Sequence, residues 1–217
     1  MNTRPAWGLL AIGALIVIAL LVSPFWLDPL SDYLEEEEVI RPFPDAFYTD
    51  LSAEEQDMYL ELYADKPQQA QAFVEARLEE PVMIDELPPD YSELLLTGTF
   101  SGLGAIYAVH GNVFVYRLAD GGTAVRLEEF DTVNGPGLQL LFSREPAPTT
   151  EEELGQTALN MEEVPRWGLR GNRGNQNYVV EGVPAFNVDN YDGGSLVLYS
   201  TEYHTVFGFA TLQRPSQ

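Results

Sequence analysis

Hydrophobic and polar positions alternate with three different rhythms along this chain. Residues 7–27 carry no charge and include the run Leu15-Ile16-Val17-Ile18-Ala19-Leu20-Leu21-Val22. A helix of that length spans roughly 30 Å, the thickness of a bilayer core, and Trp7 and Trp26 bracket it as interfacial residues do. The pattern therefore predicts a transmembrane anchor over 6–27 behind a cytoplasmic tail at 1–5. Arg4 precedes the span and Asp28, Asp32 and Glu35-Glu36-Glu37-Glu38 follow it, which orients the bulk of the chain outside. A cleaved secretory signal is the competing reading, but its basic region would be Arg4 alone and no small-x-small cleavage site is evident.

Residues 28–51 read as an acidic linker punctuated by Pro29, Pro42 and Pro44. A helical period then sets in. Ser52 with Glu55 three residues on is a capping-box phrase, and Met58, Tyr59 and Leu62 give the first apolar stripe. Asp65-Lys66-Pro67 breaks it, and Ala70, Phe73, Val74 and Leu78 resume it until Pro81. Two short helices, 52–64 and 67–79, are predicted within a helical spacer or hairpin over 52–80, followed by a Pro-rich linker over 81–93.

From residue 94 the period falls to two. Val113 and Val115 alternate with Phe114 and Tyr116 ahead of the turn Asp120-Gly121-Gly122, and Val125 and Leu127 alternate with Arg126 and Glu128. Further strands are expected at 138–143, 178–181, 195–200 and 206–212. A Pro- and Glu-rich surface excursion holding at most one helical turn is expected at 144–166. Many short strands with little helix among them predict a mainly β fold, an antiparallel β-sandwich or barrel over 94–213, with a tail at 214–217.

Composition narrows the function. The net charge is -23, from 34 acidic against 11 basic side chains, so nucleic acid is excluded as a partner. There is no cysteine, which removes disulfides, thiolate nucleophiles and Cys-held metal or haem centres.

Four phrases, in order, resemble the DM13 domain family. They are Gly98-Thr99-Phe100 with His110-Gly111; Phe130-Asp131-Thr132-Val133-Asn134-Gly135-Pro136; Leu169-Arg170-Gly171-Asn172-Arg173-Gly174-Asn175-Gln176-Asn177-Tyr178; and Tyr199-Ser200-Thr201-Glu202-Tyr203-His204-Thr205-Val206-Phe207-Gly208-Phe209-Ala210. The resemblance covers about 94–213 and implies an extracytoplasmic β module of the kind found near electron-transfer modules. In that family the last phrase carries a Trp-Cys pair on which the proposed electron transfer leans. Here the matching positions are Tyr199 and Ser200, and serine has neither the low pKa nor the soft sulfur for that chemistry.

Candidate chemistry is sparse. His110 and His204 are the two histidines, and together they would ligate a transition metal or serve as axial haem ligands. Asn172, Arg173, Asn175, Gln176 and Asn177 offer amides and a guanidinium to a small polar ligand, although amides beside glycine commonly satisfy their own turn. Glu181, Asp189 and Asp192 are hard-oxygen candidates for calcium, without EF-hand spacing. Ser200, His204 and Asp192 assemble a triad on paper, but no nucleophile elbow frames Ser200.

The residues thus lead to a single-pass plasma-membrane protein whose extracytoplasmic domain is a non-enzymatic binding module at the cell surface. Its expected partners are the membrane, through the N-terminal helix, and a protein or small polar ligand. No cofactor is expected beyond calcium. The alternatives are an accessory electron-transfer domain holding a non-covalent cofactor or metal, and a structural spacer.

Overall fold

The computed structural model describes residues 41–77, 81–160, 163–184 and 186–216. The chain divides into a unit of residues 1–42 and a unit of residues 43–217, and every element below belongs to the second.

Three short helices come first: α1 (Asp45–Asp50), α2 (Ala53–Asp65) and α3 (Pro67–Arg77). Ser52 starts α2 with a reciprocal cap: its Oγ accepts from Glu55 N at 3.3 Å, while Ser52 N donates to Glu55 Oε2 at 3.0 Å. Lys66 stops α2 by donating its N–H to Leu62 O, and Pro67 restarts the helix where its missing N–H costs nothing. Phe47, Tyr59, Phe73 and Val74 are buried. Phe73 stacks on Phe207 with centroids 5.6 Å apart and planes 16° apart, and Tyr107 meets both rings edge-on. These helices, predicted as a spacer or hairpin, pack into the core of the sheet.

The strands are β1 (Val82–Ile84), β2 (Tyr91–Gly102), β3 (Val109–Leu118), β4 (Thr123–Thr132), β5 (Leu138–Ser143), β6 (Arg166–Gly168), β7 (Arg173–Val179), β8 (Ser195–Ser200) and β9 (Thr205–Thr211). A fourth helix, α4 (Glu151–Ala158), lies between β5 and β6. All nine strands form one sheet in the order β1-β7-β4-β3-β2-β9-β8-β5-β6. The β1–β7 pair is parallel and the others are antiparallel.

This corrects the expected antiparallel sandwich or barrel. The reason lies in β2, which pairs with β3 over its first part and with β9 over Phe100–Gly102, joining what would have been two sheets. The sheet curls into a half-barrel in which the end strand β6 approaches β7 without a ladder: Trp167 Nε1 on β6 donates to Val179 O on β7 at 2.9 Å, and the Trp167 and Tyr178 rings are 5.8 Å apart. The first strand, β1, falls in the stretch expected to be a Pro-rich linker. It reaches β7 because Gly174 adopts φ +94 there, and any Cβ at that position would overlap the Met83 carbonyl oxygen.

The expected membrane architecture is also corrected. Among the described residues no helix is long and apolar enough to cross a membrane, and the anchor expected over 6–27 lies outside them. The single-pass plasma-membrane topology and the membrane partnership through that helix are accordingly not part of this structure.

Strand β8 is buried along its whole length, and its alternation explains why. Leu196 and Leu198 enter the main core with Leu140, Phe142 and Phe207. Val197 and Tyr199 point the other way, into a second cluster with Leu141, Leu154, Ala158 and Val206. That second face is roofed by α4, so the 144–166 excursion is a packed element rather than a surface loop. Leu154 and Ala158 supply its apolar side.

Candidate functional site

Three side chains from separate elements converge at the mouth of the second cluster. Tyr199 is the penultimate residue of β8, Glu151 opens α4, and His204 closes the turn into β9. The Tyr199 hydroxyl donates to Glu151 Oε2 at 2.8 Å and lies 3.1 Å from His204 Nδ1, which is itself 2.7 Å from Glu151 Oε2.

Each position has a local cause. A register shift between β8 and β9 falls between Leu198 and Tyr199, so the phenol is re-aimed at the strand end. Glu151 heads an acidic first turn, where the helix dipole favours negative charge, and Thr150 Oγ1 accepts from Glu153 N at 3.3 Å to cap it. His204 is held at φ +52, a left-handed conformation that a non-glycine residue adopts only when its surroundings impose it. Those surroundings are the β8–β9 turn, which is tied to the chain before β5. Ser200 Oγ donates to Pro136 O at 2.7 Å and accepts from Tyr203 N at 3.3 Å, and Thr201 N donates to Gly137 O at 3.1 Å.

The Tyr199 side chain is buried, whereas the side chains of Glu151 and His204 remain 36% and 68% exposed, so the cluster opens to solvent on one side. Burial, then the hydrogen bond to the Glu151 carboxylate and its charge, push the Tyr199 phenol far above its ordinary range.

The other predicted residues are dispersed. His110 on β3 pairs across the ladder with Asp131 and lines a separate cleft of about 300 Å³ with Glu55, Arg77 and Arg173. Glu55 bridges Arg77 at 3.5 Å and Asp131 bridges Arg173 at 3.4 Å. The two histidines thus have different partners and form no joint site. Glu181 lines another cleft beside Trp167 and Val179, away from Asp189 and Asp192, which both receive the Arg214 guanidinium at 2.9 and 3.1 Å. Among the described residues no group of three or more His, Cys, Asp and Glu side chains could hold a metal ion.

The Asn-rich phrase is largely occupied in holding strands together. Gln176 is fully buried; its Nε2 donates to Gly171 O at 2.7 Å and its Oε1 accepts from Gly171 N and from Tyr178 OH. Asn175 Oδ1 accepts from Glu129 N, and Asn177 Nδ2 donates to Glu86 O. Asn177 Oδ1 accepts from the buried Arg126, whose Nε donates to Glu128. Buried Asn172 donates its backbone N–H to Pro81 O, and Arg173 pairs with Asp131. Asp85 joins this network by accepting from Asn177 N at 3.0 Å and from Arg170 Nη1 at 2.5 Å.

Ser200, at the position of the family cysteine, is wholly buried and its hydroxyl is engaged on both sides. A cysteine-bound prosthetic group does not fit this chain, since both the sulfur and the open space it would need are lacking. The sequence names His204 among candidate ligands but not Glu151, whose distance along the chain from Tyr199 gives no signal before the packing of α4 is known.

A curled, mainly β domain with a polar cluster at one strand end is the class that fold and site define. The family model described as "Electron transfer DM13" matches residues 103–212, half of the chain, and the protein belongs to the DM13 family, in a form without the usual cysteine. No curated protein matches it. Among solved structures it is similar to Candida albicans superoxide dismutase 5 in its Cu(II) form, at 10% identity over 58% of this chain and 95% of that chain, with a TM-score of 0.40. A mutant of the same dismutase gives 11% identity over 57% and 93%, with the same TM-score. The expected reading as a membrane-anchored binding module at the cell surface is therefore corrected, on the family match and on the lack of a membrane-crossing helix among the described residues.

Proposed function

We propose that this chain is an accessory electron-transfer domain whose redox group is a metal or cofactor held without a covalent bond. Membership of a family described by electron transfer is the observation that carries the reading. The serine at the cysteine position supports the second half of it, because a buried hydroxyl bonded to Pro136 O provides no attachment point. A domain of this kind takes one electron from a reduced protein partner and yields it to an oxidised one. The protein's part is to fix the donor atoms so that the group changes charge with little rearrangement around it.

The test is a reductive titration of the full chain, purified from its host without chelator, alongside elemental analysis and an absorption spectrum. The expected result is a bound group that takes up one electron per chain and gives it back to a mild oxidant. A protein with no reducible group, in which neither added metal ions nor cell extract installs one, would refute the reading.

A further inference from the structure

We infer that Tyr199, Glu151 and His204 form a binding site for a first-row transition ion, Cu(II) or Fe(III), with the phenolate oxygen, a carboxylate oxygen and Nδ1 as donors. The inference rests on the electron-transfer reading above and assigns that function a place in the molecule.

Spacing is the first argument. The three donor atoms are separated by 2.7, 2.8 and 3.1 Å. Ligands at right angles around an ion, as in octahedral or tetragonal coordination, lie roughly 2.9 Å apart when the metal–donor bonds are about 2.0 to 2.1 Å. The triangle therefore has the dimensions of one face of a coordination shell.

Convergence is the second argument: the Tyr199 hydroxyl donates to Glu151 Oε2 and its oxygen can also accept from Nδ1, so hydrogen bonds gather three donor atoms from three elements before an ion binds. On binding, the phenol proton and any proton on Nδ1 pass to solvent, and the ion keeps its oxidation state.

Donor type selects the ion. Imidazole with phenolate and carboxylate suits copper and iron, whereas calcium and magnesium take all-oxygen shells. The exposed sides of His204 and Glu151 leave coordination positions for water and a path for the ion to enter. The net charge of -23 draws cations to the surface.

The full chain, stripped with chelator and dialysed, is titrated with Cu(II) and separately with Fe(III) as its nitrilotriacetate complex. Binding is followed by visible absorption and by equilibrium dialysis. One ion per chain is expected, with a phenolate-to-metal charge-transfer band. Tyr199→Phe should abolish the band, and His204→Gln and Glu151→Gln should each weaken binding at least about tenfold, at the low end of what even outer-shell changes cost. His110→Ala should retain band and affinity. Circular dichroism confirms folding, and because Glu151→Gln alters a part-exposed side chain it keeps the test open should the Tyr199 variant unfold.

A bound ion whose band and affinity survive both Tyr199→Phe and Glu151→Gln would overturn the site while leaving the electron-transfer reading intact. So would a chain that binds neither ion but takes up an electron through another group. A chain that binds neither ion and takes up no electron would overturn both.

Discussion

At the scale of single residues, the position that separates this chain from its family is structural. Ser200 is buried, donates to Pro136 O and accepts from Tyr203 N, so its hydroxyl shapes the turn that presents His204. Ser200→Ala should lower unfolding free energy by about 1 to 2 kcal/mol in denaturant titration, the cost of leaving buried partners unmet. Ser200→Cys should give a thiol that reacts with a disulfide reagent only after unfolding; rapid labelling of the native protein would show that the position opens. Asp85 is a residue whose importance is electrostatic. Burial works against its charge, yet the hydrogen bonds from Arg170 and from Asn177 N, with the fields of Arg170 and Arg126, hold its carboxyl below the usual range. A depressed folded pKa stabilises the fold at pH values above the unfolded one, near 4, and that contribution disappears as pH falls through the folded value. Asp85→Asn should thus be destabilised relative to wild type at pH 7 and converge with it near pH 2, as read by urea midpoints at the two pH values.

At the scale of elements, what the sequence discloses depends on whether the signal is local. The Ser52–Glu55 cap and the Asp65-Lys66-Pro67 break concern neighbours within a turn, and α2 and α3 begin and end beside them. The two-residue alternation at 113–116 and 125–128 is equally local, and β3 and β4 run through it. By contrast β1 is three residues long, two of them exposed, and has no apolar rhythm of its own; it exists because Gly174 lets β7 accept a parallel neighbour. Gly174→Ala should detach it, since the new Cβ would overlap the Met83 carbonyl. Hydrogen exchange should show the loss at the Asp85 amide, which donates to Asn175 O, while protection in β8 is retained. Helix α4 was hidden for a related reason. Gly155 breaks its φ/ψ pattern at φ +78, and its acidic first turn reads as surface; only the packing of Leu154 and Ala158 against β8 reveals its place.

At the scale of the whole molecule, one sheet with two unequal cores decides where chemistry can sit. The larger core is closed by the N-terminal helices through Phe73, fully buried between Tyr107, Tyr203 and Phe207. The smaller one, under α4, ends at the Tyr199 cluster. A period of two says which residues face the same way but not whether a strand is shared between halves, so the curl set by β2 could not be read in advance. The same geometry makes a prediction about coupling. Phe73→Ala removes an aromatic side chain from the larger core and should cost about 3 to 5 kcal/mol in a denaturant melt. Tyr203, which touches Phe73 with centroids 5.5 Å apart, is the residue before His204 and lies in the same turn. Loosening the larger core should therefore release the turn and let His204 leave its left-handed conformation, while Tyr199 and Glu151 remain held by the smaller core. The expected outcome is a folded Phe73→Ala protein whose His204 ring resonances broaden and shift toward those of a histidine in an unstructured peptide, with the Tyr199 environment preserved in near-ultraviolet circular dichroism. Unchanged His204 resonances in the folded variant would show that the ties to Pro136 and Gly137 alone fix the turn, and that the two cores act independently.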